Sequence, residues 1–153
     1  MMLSILNDIS VNRMLIAGLA AWFLAQFLKV PIDWMVNRRF IWTLWFSPGG
    51  MPSSHSALMT GTTTAIGLYT GFNTATFALA FAITMVVIYD AAGVRRQAGL
   101  HAQKLNLLIN ELLSGHPISE QRLKEVLGHT PREVVGGISL GIIVPVFIWA
   151  IWH

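Results

Sequence analysis

Four stretches of this chain are long, apolar and nearly free of charge. From Ser56 to Thr70, from Thr74 to Tyr89 and from Val134 to Trp152 there is no charged side chain, and from Val11 to Val30 only Arg13 and Lys29 interrupt the run. A helix of about 20 residues spans the roughly 30 Å hydrocarbon core of a bilayer. A water-soluble domain would need a charged surface to cover four such runs, and charged residues make up only 11% of the chain, against about 25% in soluble domains. The expectation is an all-α integral membrane protein: one membrane-embedded domain over residues 1–153, spans at about 11–30, 56–70, 74–89 and 134–152, and loops at 31–55 and 90–133. The second and third runs are short, so polar end residues must enter the span or the bilayer must thin. There is no cysteine, which excludes disulfides and thiolate metal sites. No small-residue cleavage site follows the first run, so it does not read as a removable signal.

Charge sets the expected orientation. Four spans put both termini on one side. Lys29, Arg38, Arg39, Arg95, Arg96, Lys104, Arg122, Lys124 and Arg132 fall on the other, nine of the ten basic residues, and Arg13 alone stays at the terminal side. The positive-inside rule then makes the loops cytoplasmic, both ends external and the location a cell (inner) membrane. The net charge of +3 reads as topology and attraction to anionic lipid, not as nucleic-acid binding.

One polar segment stands out at the start of the second run: Gly49-Gly50-Met51-Pro52-Ser53-Ser54-His55-Ser56. Glycine permits positive φ and close backbone approach, and proline stops the preceding segment from continuing as helix. Ser53 or Ser54 can cap the helix that follows. The uncapped N–H groups and positive dipole of such a helix start favour phosphate-like anions, and His55 on its first turn can donate a proton. A capped helix start with an incidental histidine would use the same residues.

The rest of the chain brings more polar groups to the same side. Gln26 and Lys29 share one face near the end of the first run, where Lys29 either snorkels to the headgroups or faces a site. Trp34, Trp42 and Trp45 beside Arg38 and Arg39 read as an interfacial belt. Asp90 to Gly99 reads as a flexible exit from the membrane. Leu100 to Leu113 reads as an amphipathic helix with His101, Leu105, Leu108 and Leu112 on one face. A turn at Gly115-His116-Pro117 and a short helix over 119–127 follow. Thr130, Pro131 and Glu133 then spell a capping box with proline at the first helical position, and Pro145 should kink the last run. Clustered cations with a helix N-terminus could hold a phosphate, and two histidines supply a nucleophile and an acid. His55, His101, His116 and His129 lack close metal-ligand spacing. His116 reads as solvated and His129 as a further contributor to the site.

Pro52-Ser53-Ser54-His55, with Arg95 and then His101 after five intervening residues, resembles the type 2 phosphatidic acid phosphatase (PAP2) family. That family shares its site with acid phosphatases and vanadium haloperoxidases. The full Gly-Gly-Met-Pro-Ser-Ser-His-Ser, Asp90-Ala-Ala-Gly-Val-Arg-Arg and Gly128-His129-Thr130-Pro131 phrases look like its divergent bacterial and plastid branch. The likeness runs from Gln26 to about Gly141. It implies a PAP2-like helical core and a membrane lipid phosphatase working through a phosphohistidine. His101 would be the nucleophile and His55 the acid. Lys29, Arg38 or Arg39, Ser53, Ser54, Arg95 and Arg96 would hold the phosphate, without metal or cofactor. The family carries an aspartate four residues after its nucleophilic histidine. Here that position is Leu105, which accepts no hydrogen bond, so Asn106, Asp90 or a backbone carbonyl must orient His101. The implied partners are the bilayer and a phosphorylated lipid, phosphatidylglycerophosphate being the favoured example, with a homodimer as a way for short helices to close the site. A degenerate phospholipid-binding relative and a small transporter or scaffold are the rival classes.

Overall fold

In the computed structural model the described residues are 1, 7–38, 40–47, 49–112 and 129–152, excepting the side chains at 94–96, 98 and 110–112. Every regular element among them is helical. Five α-helices follow in order: α1 (Arg13–Asn37), α2 (Ser54–Thr70), α3 (Ala75–Tyr89), α4 (Arg95–Leu112) and α5 (Pro131–Ile151). A short 3-10 helix, Trp42–Phe46, lies between α1 and α2, and a π-helical turn, Asp90–Val94, joins α3 to α4. The expected turn at 115–117 and short helix over 119–127 lie outside the described residues.

Among the described residues, three helices are long and apolar enough to cross a membrane: Arg13–Asn37, Ala75–Gly93 and Pro131–Ile151. The fourth apolar run is α2, with 17 residues, or about 25 Å of helix. It sits at the centre of the bundle, with α1, α3 and α5 all packed on it, and is bounded by the Ser53 cap and Gly71. Its neighbours approach closely because the meeting residues are small. Ala17, Ala21 and Ala25 of α1 and Ala57 and Ala65 of α2 are fully buried. A Cβ on Gly61 would lie 3.0 Å from the Ala21 methyl, and one on Gly141 would lie 2.9 Å from the Ala57 carbonyl. Between apolar helices in lipid there is no hydrophobic drive, so close packing and hydrogen bonds must hold the seam. The threonine-rich face of α2 supplies the bonds. Thr63 Oγ1 and Thr84 Oγ1 of α3 are 2.7 Å apart, and Thr84 donates to the Met59 carbonyl at 3.2 Å.

Two boundaries differ from the sequence expectation. The first helix does not stop at Pro31 but runs to Asn37, and Arg38 closes it in the left-handed conformation, φ 55°. Proline removes the N–H that would bond the carbonyl four residues back. That carbonyl belongs to Phe27, and Trp45 Nε1 donates to it at 3.1 Å. The orphan is thereby satisfied, and the 3-10 helix is pinned to α1. The second difference is at Asp90–Gly99, which is helical: the chain leaves α3 through the π turn and continues directly into α4. Caps set the other starts. Of the two candidate serines Ser53 caps α2, and Thr74 caps α3, while Thr130 and Glu133 form the expected capping box at α5.

The tightest contact brings α5 onto the start of α2. A Cβ on Gly137 would overlap the Ser53 carbonyl oxygen and lie 2.9 Å from Ser56 Cβ. Gly93 has open space around it. Gly137→Ala is therefore expected to lower stability by about 1–3 kcal/mol, the usual cost of overpacking. Gly93→Ala should be near neutral. Thermal unfolding of the two variants in detergent checks this; equal melting temperatures would contradict the packing.

Candidate functional site

The polar site forms where the end of α1 meets the starts of α2 and α5. The turn before α2 needs glycine at Gly50, whose φ is 92°, in the region that L side chains rarely adopt. Ser53 then caps α2: its Oγ accepts from the Ser56 N–H at 3.3 Å and from the Ser56 hydroxyl at 3.0 Å. Its own N–H donates to the Glu133 carbonyl at 2.9 Å. The α2 start is thus tied by its backbone to the first turn of α5. Ser53, Ser54 and Ser56 are buried, and His55 stands exposed between them.

The residue facing His55 is His129. Its ring centroid is 6.3 Å from that of His55, at an interplanar angle of 52°. His129 is only 8% exposed. Its Nδ1 lies 2.9 Å from Glu133 Oε2, and its backbone N–H donates to the Ala91 carbonyl at 3.2 Å. That carbonyl belongs to the π turn. Such turns interrupt the regular hydrogen-bond ladder and recur at functional sites; here the turn places Ala91 to hold His129. The same Glu133 carboxylate accepts from the Thr130 N–H at 3.2 Å, so the capping box and the histidine pair share one oxygen. A carboxylate on Nδ1 favours the tautomer with the proton on Nδ1 and leaves the Nε2 lone pair free.

Lys29 completes the centre. It is 0% exposed, and its Nζ donates to the Ser47 carbonyl at 2.8 Å. Its stem lies against the turn before α2: a Cβ on Gly50 would be 3.8 Å from Lys29 Cδ. An ammonium enclosed within a membrane helix is costly and marks a functional site by default. Beside it lies a cleft of about 220 Å³, lined by Ile32, Asp33, Val36 and Asn37 of α1, Gly50 and Met51 of the turn, and Thr130, Arg132 and Glu133 of α5.

The sequence-predicted site residues divide into groups. Lys29, Ser53, Ser54 and His55 gather at this junction. Asp90 opens the π turn, directly before the carbonyl that holds His129. Arg38 caps α1 at its exposed end. His101 lies exposed on α4, and among the described residues no hydrogen bond or ring contact joins it to His55. Leu105 is exposed and Asn106 buried on the same helix. Arg39, His116 and the side chains of Arg95 and Arg96 lie outside the described residues. Among the described residues no group of three or more His, Asp or Glu could hold a metal ion. Glu133 is the contributor that the sequence reading saw only as a cap. Its signal was present: it follows His129 by four residues, the spacing between histidine and carboxylate that the resembled family shows.

The capped turn carrying Pro52-Ser53-Ser54-His55, the buried Lys29 and the His129–Glu133 pair thus gather at one end of a helical bundle. The chain belongs to the Divergent PAP2 family, whose model matches residues 10–144. It is also similar to the "Uncharacterized membrane protein YuiD" of Bacillus subtilis (strain 168), 39% identical over 147 residues that cover 89% of this chain and 93% of that one. No solved structure matches it at a significant level.

Glu133→Leu is expected to move the His129 proton from Nδ1 to Nε2 and to cost about 1 kcal/mol through the lost capping box. Nitrogen NMR of the labelled imidazole reads the tautomer. An unchanged tautomer would show that the carboxylate does not orient the ring.

Proposed function

We propose that this chain is a metal-independent membrane lipid phosphatase, with His129 rather than His101 as its nucleophile. The observation that carries the reading is the His129–Glu133 pair, 2.9 Å apart, set beside His55 on a capped helix start. Nε2 of His129 attacks phosphorus and forms the P–N bond as the P–O bond to the lipid breaks. His55 gives its proton to the departing alkoxide. Water, deprotonated by His55, then attacks the phosphohistidine; the P–N bond breaks and inorganic phosphate leaves. Glu133 offsets the charge that develops on the imidazole, the function that Leu105 cannot serve for His101.

Lys29, the α2 N-terminus at Ser53 and Ser54, and the arginines Arg38, Arg39, Arg95 and Arg96 hold the phosphate oxygens, with Arg132 in the lining of the cleft. Asp90 positions His129 through the π turn. In this reading α2 is a fourth, shortened crossing, α4 lies along the headgroups, and both termini are outside. The basic side and the site then face the cytoplasm, where a precursor such as phosphatidylglycerophosphate would be met. A homodimer would cover the bare outer face of α3.

Phosphate release from a panel of phospholipid and polyprenyl phosphates tests this. His129→Ala and His55→Ala are each expected to lose turnover by about 10²–10⁴-fold. His101→Ala should keep most of its activity, and chelator should leave the wild type unaffected. Full turnover in His129→Ala would overturn the assignment.

A further inference from the structure

An aromatic groove lies along α1, on residues that precede those of the polar cleft. It is lined by Trp22, Phe23, Gln26 and Phe27 of α1 and by Trp45 and Phe46 of the 3-10 helix, and holds about 450 Å³. That volume falls in the roughly 300–1,000 Å³ range of ligand sites. Its lining carries no charge, and its one polar residue is Gln26. Phe27 and Trp45 stack with ring centroids 6.0 Å apart, and Trp45 is fixed through the Phe27 carbonyl. The groove is therefore a formed feature with one anchored wall.

We propose that this groove receives the hydrocarbon chain of the substrate lipid, a proposal that rests on reading the cleft as a lipid-phosphate site. A shared anchor at Ser47 commits it to that occupant. Gln26 Nε2 and Lys29 Nζ both donate to the Ser47 carbonyl, at 3.4 and 2.8 Å, so groove and ammonium share one backbone atom. Residues 22–27 lie about 3–10 Å from Lys29 along the helix axis, on the side towards the bilayer centre. A lipid whose phosphate sits beside Lys29 has its chain starting along this groove. Aromatic walls then select for chain length and leave the phosphate chemistry unchanged.

Phe23 and Phe46 are 65% and 83% exposed, so truncating them leaves the helix packing intact. The test compares full-length wild type with Phe23→Ala and Phe46→Ala in detergent, on dioleoyl and dibutyryl phosphatidic acid, which share a headgroup and differ in their chains. Each variant should raise KM for the dioleoyl lipid about tenfold and leave kcat and the dibutyryl KM unchanged. Equal effects on both lipids, or none on either, would overturn the proposal. If the wild type hydrolyses neither lipid, the phosphatase reading is what fails for this headgroup. The groove is then judged by native mass spectrometry of the same proteins with dioleoyl phosphatidic acid: lower retention by the variants supports it, and equal retention overturns it.

Discussion

The hydrogen bond from the Ser53 N–H to the Glu133 carbonyl joins two helix starts that lie eighty residues apart in sequence. It is possible only because α5 carries glycine at 137, where any side chain would meet the Ser53 carbonyl. Once the starts are joined, the cap of α2 and the capping box of α5 face each other. His55 rides on the first and His129 precedes the second. Each local device is ordinary helix chemistry. Their meeting point is a cluster of helix N-terminal groups, serines, a lysine and two histidines at one end of a membrane bundle.

A second constraint governs the lysine. Continuing α1 through Pro31 leaves the Phe27 carbonyl without its helical donor, and in a membrane an orphan carbonyl is expensive. The Trp45 indole fills it. That bond draws the 3-10 helix against α1, which brings the Ser47 carbonyl to Lys29 and the Trp45 ring to Phe27. The buried ammonium and the aromatic groove are thus two results of one repair. At the opposite end of the bundle Arg13 stands over the rings of Tyr69 and Trp152, at 5.7 and 5.2 Å, and holds the start of α1 to the ends of α2 and α5.

Much of this was legible in the residues. Charge-free runs marked the apolar helices, Ser53 and Thr130 marked starts, and the phrase around Pro52 marked the polar turn. The run past Pro31 was not legible, because the indole that permits it lies fourteen residues further on and acts through space. Asp90 to Gly99 read as an exit because its polar residues suggested solvent, whereas the backbone keeps its helical bonding through a π turn. In the site, the spacing from Arg95 points to His101, whereas the ring contact to His55 is made by His129. The capping role of Glu133 concealed its second partner, since one carboxylate serves both the Thr130 N–H and the His129 ring. The four-residue step from His129 to Glu133 was there in the sequence, and the structure adds that the His129 ring lies beside that of His55.

In the proposed reaction a phosphoryl group rests on one imidazole between two steps, and its address is the most direct measurement available. Rapid alkaline quench of the full-length protein during turnover of a lipid phosphate labelled at phosphorus, followed by peptide mapping, should place the label on His129. Replacing His55 with alanine should leave it on the same residue. Label on His101, or no acid-labile phosphohistidine while phosphate is being released, would contradict the mechanism.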